Sequence, residues 1–262
     1  MIISMAATKS GISLSLLILI LFSTLVSAQT RTKPADDRVT IRRRTITLIR
    51  SREIAKKFPL GRKAVISYPV ISGLRNQEVL RKVRAIIEFK NVFERTVDEY
   101  REDSWLQEIN YRVGYNQNYI LDLTFRQTGT GAYTSTDHQH FTIDLRRGTV
   151  VKASDVFVVD KLQQLAAVVD QKLQHELKES TLGMLKSGDI SASELRDLHA
   201  ELKFGIENLN NFEVKNFGLV FLYDAGFAHV DQPFAPDGRY RFTYKELKPY
   251  LKPDGLLWQF VD

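Results

Sequence analysis

"WLQEINYRVGYNQNYILDLTFRQTGTGAYTSTDHQHFTIDLRRG", residues 105–148, decides the fold. Its apolar residues recur at every second position. Ile109, Tyr111, Val113 and Tyr115 form one run, Tyr119, Leu121, Leu123 and Phe125 a second, and Phe141, Ile143 and Leu145 a third. A period of two places such residues on one side of a strand. "NQN" (116–118) and "TGTG" (128–131) separate the runs, and Asn and Gly tolerate the backbone angles of tight reversals. Three strands with one apolar side predict an antiparallel meander that must bury that side. On the third strand His138 and His140 share the even-numbered side with Thr142 and Asp144, so both histidines are expected on an exposed polar face.

Outside the meander the period changes. Val79, Leu80, Val83, Ile86 and Ile87 follow the capping residue Asn76 at helical spacing, which predicts a helix over Gln77–Phe89 with the pattern carrying on towards Tyr100. Leu162, Leu165, Ala166, Val169, Leu173 and Leu177 form the strongest amphipathic stripe, a helix over Lys161–Leu177 expected to cover the meander. "SASELRDLHAEL" (191–202) reads as a further helix capped by Ser191 or Ser193. "RVTIRRRTITLIRS" (38–51) alternates as a strand with a register break expected near Arg43–Arg44. "KAVISYPVI" (63–71) reads as a strand whose Pro69 suits an edge or an end. Towards the C-terminus, "FEVKNFGLVFLYD" (212–224) is a strand pair turning at Asn216, and "RYRFTYKELKPYL" (239–251) a strand entering a short helix. The fold class is α+β, an antiparallel sheet meander packed by two or three amphipathic helices. It occupies residues 61–262, after a basic linker and first strand over 29–60.

The first 28 residues read as a secretory signal peptide: Lys9, the apolar run Leu14–Val26, then the small residues of "VSA" (26–28). That run is shorter than the roughly 20 residues of a spanning helix. The expectation is an exported protein, periplasmic or extracellular, or tethered to the membrane if the signal stays uncleaved. No cysteine is present, which excludes disulfides, thiolate metal sites and thiol nucleophiles. The net charge of +6 is unevenly spread, because residues 31–63 hold twelve Lys/Arg against three acids. That segment could touch a membrane surface; nucleic acid is not an expected partner, since export removes the chain from it.

The chemistry is sparse. No G-x-S-x-G, S-x-x-K or H-E-x-x-H occurs, and no phosphate-cradling glycine loop precedes a helix. His-x-His on a strand can chelate a metal, but His138 and His140 need a third ligand that only folding could supply. The readings are therefore an exported non-enzymatic binding module, a metal-dependent hydrolase using His138 and His140, or a membrane-associated structural protein held by the basic segment. The first is preferred, with no catalytic residue, metal or cofactor assigned.

Three stretches carry a resemblance. They are "YPVISGLRNQEVLRKVRAII" (68–87), "LDLTFRQTGTGAYTSTDHQHFTIDLRRGTVVKASDVF" (121–157) and "FGLVFLYDAGFAHVDQPFAPDGRYRFTYKELKPYL" (217–251). Residues 60–252 resemble the extracytoplasmic domain family shared by the anti-sigma factor RsiV and the non-catalytic part of the peptidoglycan deacetylase PdaC. The resemblance implies an envelope domain that binds and does not catalyse, with a cell-wall polymer or an envelope protein as partner. The chain departs from the family at "TGAY", where Tyr133 stands in place of a histidine, and at "PFAPDG" (233–238) in the closing loop. Tyr133, His138, His140, Phe234 and Tyr240, from the hairpin and the closing loop, are the candidate ligand-binding residues.

Overall fold

Residues 37–187 and 190–261 are described by the structure, a computed structural model. The segment read as a signal peptide lies outside them. Six strands form the larger sheet in chain order: β1 (Thr40–Ile49), β2 (Lys63–Ser72), β3 (Leu106–Gln117), β4 (Ile120–Thr130), β5 (Thr134–Asp144) and β6 (Thr149–Val150). A separate sheet holds β7 (Phe212–Lys215), β8 (Gly218–Leu222) and β9 (Arg239–Thr243). The helices are α1 (Arg52–Lys57), α2 (Gln77–Ile86), α3 (Phe89–Phe93), α4 (Val97–Glu102), α5 (Ala153–Val156), α6 (Leu162–Ser187), α7 (Ala192–His199) and α8 (Tyr244–Leu247). The α+β class and the meander β3–β5 hold. Pairing is antiparallel throughout except between β2 and β3, which run parallel at Val65/Glu108 and Ile66/Ile109. A parallel neighbour needs a crossover, and α2–α4 supply it.

Those three helices also close the apolar side of the meander. Asn76 caps α2 by accepting from the amides of Glu78 and Val79. The helical pattern that runs on towards Tyr100 is broken, because Glu94 adopts a left-handed φ of 57° and Thr96 opens α4 with a capping box to Glu99. The breaks let Val79, Val83, Val92, Phe93 and Tyr100 wrap over Leu121, Leu123, Phe125 and Ile143 in one apolar cluster. Phe125 lies at its centre, with ring centroids 5.3 Å from Tyr68, 5.9 Å from Phe93 and 6.0 Å from Phe141. Burying each such ring stabilises the fold by about 1.5–3 kcal/mol.

Three expectations need correction. The long helix α6 does not cover the meander; Leu165, Ala166, Val169, Leu173 and Leu177 pack in a second cluster with Val214, Leu219, Phe221 and Phe242 of the smaller sheet. Tyr115 does not share a face with Ile109 and Tyr111, because Gly114 is the extra residue of a β-bulge between Val113 and Tyr115. The inserted residue turns the strand over, so Tyr115 joins the second cluster while Ile109 stays in the first. β1 has no register break: all ten of its residues pair with β2 in one unbroken ladder, from Thr40/Ser72 to Ile49/Lys63. Among the described residues β1 is thus an edge of the main sheet, and it ties Thr40–Ile49 to the unit after residue 61. Arg42, Arg43 and Arg44 are exposed along it.

Candidate functional site: the cleft between the sheets

The even-numbered side of β3–β5 is polar, exposed at Arg112, Arg126, Thr136 and His138 but buried at Asp122 and Thr142. β7 lies over it. The amide of Val214 donates to Asp122 Oδ2 at 2.8 Å, and the Thr142 hydroxyl donates to the Phe212 carbonyl at 2.9 Å. His140 Nε2 stands 3.1 Å from the same Asp122 oxygen, and the two side chains are 5% and 0% exposed. The expectation of an exposed histidine face therefore fails at His140, which belongs to a buried polar seam. The bulge makes room for it: a Cβ on Gly114 would lie 2.0 Å from Asp122 Oδ1.

Beside this seam sits Glu213 of β7, whose side chain is 1% exposed and takes three cations. Arg112 Nη2 of β3 approaches Oε1 at 2.6 Å; Arg239 Nη2 of β9 and Lys215 Nζ of β7 approach Oε2 at 2.7 and 2.9 Å. Burial alone would raise this carboxyl, but the hydrogen bonds and charges of Lys215 and Arg239 outweigh it and hold it at about 2.

Further along the strands β7 ends and the sheets part. The resulting cleft holds about 1270 Å³. The polar side of β3–β5 forms one wall and the segment 222–239 the other. The strand register fixes the first wall as a grid, in which Arg126 of β4 faces Asn110 of β3 and His138 of β5, and Thr124 faces Arg112 and His140. Arg126 is anchored by Glu108 at 2.5 Å. The Thr124 hydroxyl is buried and has no hydrogen-bond partner among the described residues. Desolvation in the cleft, then Arg126, Arg239 and Arg112, holds His138 below the ordinary imidazole range against the pull of Asp137. Tyr111, Tyr223, Phe227 and His229 add aromatic surface.

The five candidate residues separate. His138 and His140 line the cleft. Tyr133, 70% exposed at the β4–β5 tip, meets His229 at its mouth with a centroid distance of 4.9 Å. Phe234 is half-buried outside the lining, its carbonyl accepting from His199 Nε2 at 3.0 Å. Tyr240 is 5% exposed in the second cluster, donating to Glu176 at 2.8 Å. Among the described residues no three of His, Asp or Glu gather in a way that could hold a metal ion. Arg112, Arg126, Glu213 and Arg239 are the residues sequence reading passed over. The first two are legible as even-numbered members of the meander; the other two come from strands about a hundred residues downstream.

An α+β domain with two sheets and a cleft between them is the class these observations define. The fold is shared with a solved DUF3298-family protein from Bacteroides fragilis, at a TM-score of 0.52 and 12% identity, covering 84% of this chain and 96% of that one. A DUF3298-family protein from Pseudomonas aeruginosa is also similar, at a TM-score of 0.47 and 11% identity, covering 84% and 97%. DUF3298 is a domain of unknown function. No family model and no curated protein matches the sequence.

Proposed function

We propose that the protein is an exported, non-enzymatic binding module of the cell envelope, and that it holds a wall polymer in the cleft between its sheets. The observation that carries the reading is the cleft itself. At about 1270 Å³ it is larger than a typical small-molecule pocket, and charged, hydroxyl and aromatic side chains line it together. Such a concave lining suits an extended glycan-bearing chain, whose sugars stack on aromatics and whose polar groups need many donors. A protein partner would more commonly meet a flatter surface with an apolar centre. The N-terminal apolar run supports export, and the resemblance to the RsiV and PdaC domain supports an envelope setting.

The test is retention on isolated cell-wall material. The purified protein is expected to be retained, Thr136→Trp to be lost because it fills the cleft, and Lys178→Trp on α6 to behave as the native protein. No retention of the native protein, or retention indifferent to Thr136→Trp, removes this reading.

A further inference from the structure

Guanidinium groups rarely converge unless something holds them or something negative visits them. In the cleft, the first condition is met. Arg112 and Arg239 come from different sheets and are pinned on one carboxylate, Glu213, at 2.6 and 2.7 Å. Lys215 approaches the same carboxylate at 2.9 Å, so three cations share one negative charge at this point of the cleft. Each arginine has five N–H donors and spends few of them on Glu213. Both side chains stay well exposed to the cleft, at 58% and 36%, while Glu213 is sealed beneath them. Arg126 stands beside Arg112 on the same side of the sheet, in register with His138. The buried Thr124 hydroxyl, without a partner among the described residues, borders the same spot. Of the other carboxylates lining the cleft, Asp224 and Asp237 belong to the opposite wall and Asp137 stands next to His138.

We propose that Arg112, Arg126 and Arg239, with His138 and Thr124, form an oxyanion site that takes a phosphate or carboxylate group of the ligand. The proposal deepens the reading above and rests on it for the identity of the polymer. Guanidinium groups suit these anions because their planar N–H forks match two oxygens at once. Pinning on Glu213 removes much of the ordering cost that free arginines would meet on binding. The low proton affinity of His138 keeps the imidazole neutral at pH 7, so it can offer a hydrogen bond without adding charge.

The experiment is an NMR titration of the purified protein, following the ring protons of His138 at constant ionic strength. Pyrophosphate and N-acetylmuramic acid are added separately as the phosphate and carboxylate probes. At least one is expected to give a saturable shift, and the midpoint of His138 titration should rise when the anion is bound. Arg126→Gln should weaken that probe about tenfold or more, and Arg126→Lys should recover part of the loss. A response to pyrophosphate alone assigns the site to phosphodiester polymers; a response to N-acetylmuramic acid alone assigns it to peptidoglycan carboxylates; a response to both leaves the site general for oxyanions. No saturable shift with either probe, or equal affinity in Arg126→Gln, overturns the site. A protein that binds cell walls but neither anion loses this site and keeps the wider reading. One that binds an anion but no wall material keeps the site and loses the wall polymer.

Discussion

The two sides of the six-stranded sheet are closed by different chemistry. On the helix side, α2–α4 press Val83, Phe93 and Tyr100 onto Leu123, Phe125 and Ile143 mainly by apolar packing, with Tyr100 also donating to Gln127 at 2.7 Å. On the other side, β7 is held by Asp122, Thr142 and Arg112 through single hydrogen bonds and ion pairs of defined geometry. An apolar layer tolerates exchange of one hydrocarbon for another of equal volume, whereas a polar seam is costly as soon as one partner is lost. The two sides therefore differ in the changes they tolerate. The helix side sets stability, and the polar side sets where the sheets join and where they part to leave a cleft.

The largest loss of stability is expected on the helix side. Phe125→Ala should cost about 3–5 kcal/mol, read as a shift of the urea midpoint, since the ring is fully buried among other aromatics. A cost below about 1 kcal/mol would mean that this layer is not the main core. Next comes the seam. Asp122→Ala leaves the Val214 amide and His140 without their acceptor and should cost about 2–3 kcal/mol by the same measurement. A near-neutral result would show that β7 does not depend on that carboxylate.

Acid sharpens the contrast further. The folded carboxyl of Glu213 sits at about 2 against 4.5 for an unperturbed one. A depressed carboxyl contributes stability that is fully present above 4.5 and is lost as pH falls towards about 2. Native stability should therefore decline through that window, and Glu213→Gln should be less stable at neutral pH with a flatter acid limb. Equal slopes in the two proteins would sink the cation cluster. The smallest effect is expected at the cleft wall, where Arg126→Gln removes only a half-exposed pair with Glu108 and should move stability by no more than about 0.5 kcal/mol. A large loss there would make Arg126 part of the scaffold and not of the site.

Much of the helix side was legible in the sequence, because Leu121, Leu123, Phe125, Ile143 and Leu145 alternate and Val79, Leu80 and Val83 repeat at helical spacing. Alternation reports which residues share a side and is silent on what covers it. His140 therefore reads as solvated, although a strand that begins about seventy residues later buries it. The same silence sent α6 to the wrong sheet, since an amphipathic stripe does not name its partner. At Gly114 the signal was present but ambiguous: an isolated glycine within an alternating run marks a bulge or a close approach, and here it marks both. The cleft was half legible. His138 and His140 were named from the hairpin and line the cleft, with Tyr133 beside its mouth, whereas Arg239 and Glu213 needed two sheets to meet.

β1 bears on the chain's behaviour in a crowd of its own copies. Among the described residues it has a sheet neighbour on one side only, so its outer row of amides and carbonyls is a template on which another strand could grow. Arg42, Arg43 and Arg44 are exposed on that strand, and two copies that approach edge to edge bring like charges together before any backbone bond can form. Charge along this edge opposes growth into extended sheets, and Arg43 also reaches across β2, donating to Asn110 at 2.8 Å and lying 4.8 Å from the Tyr111 ring centroid.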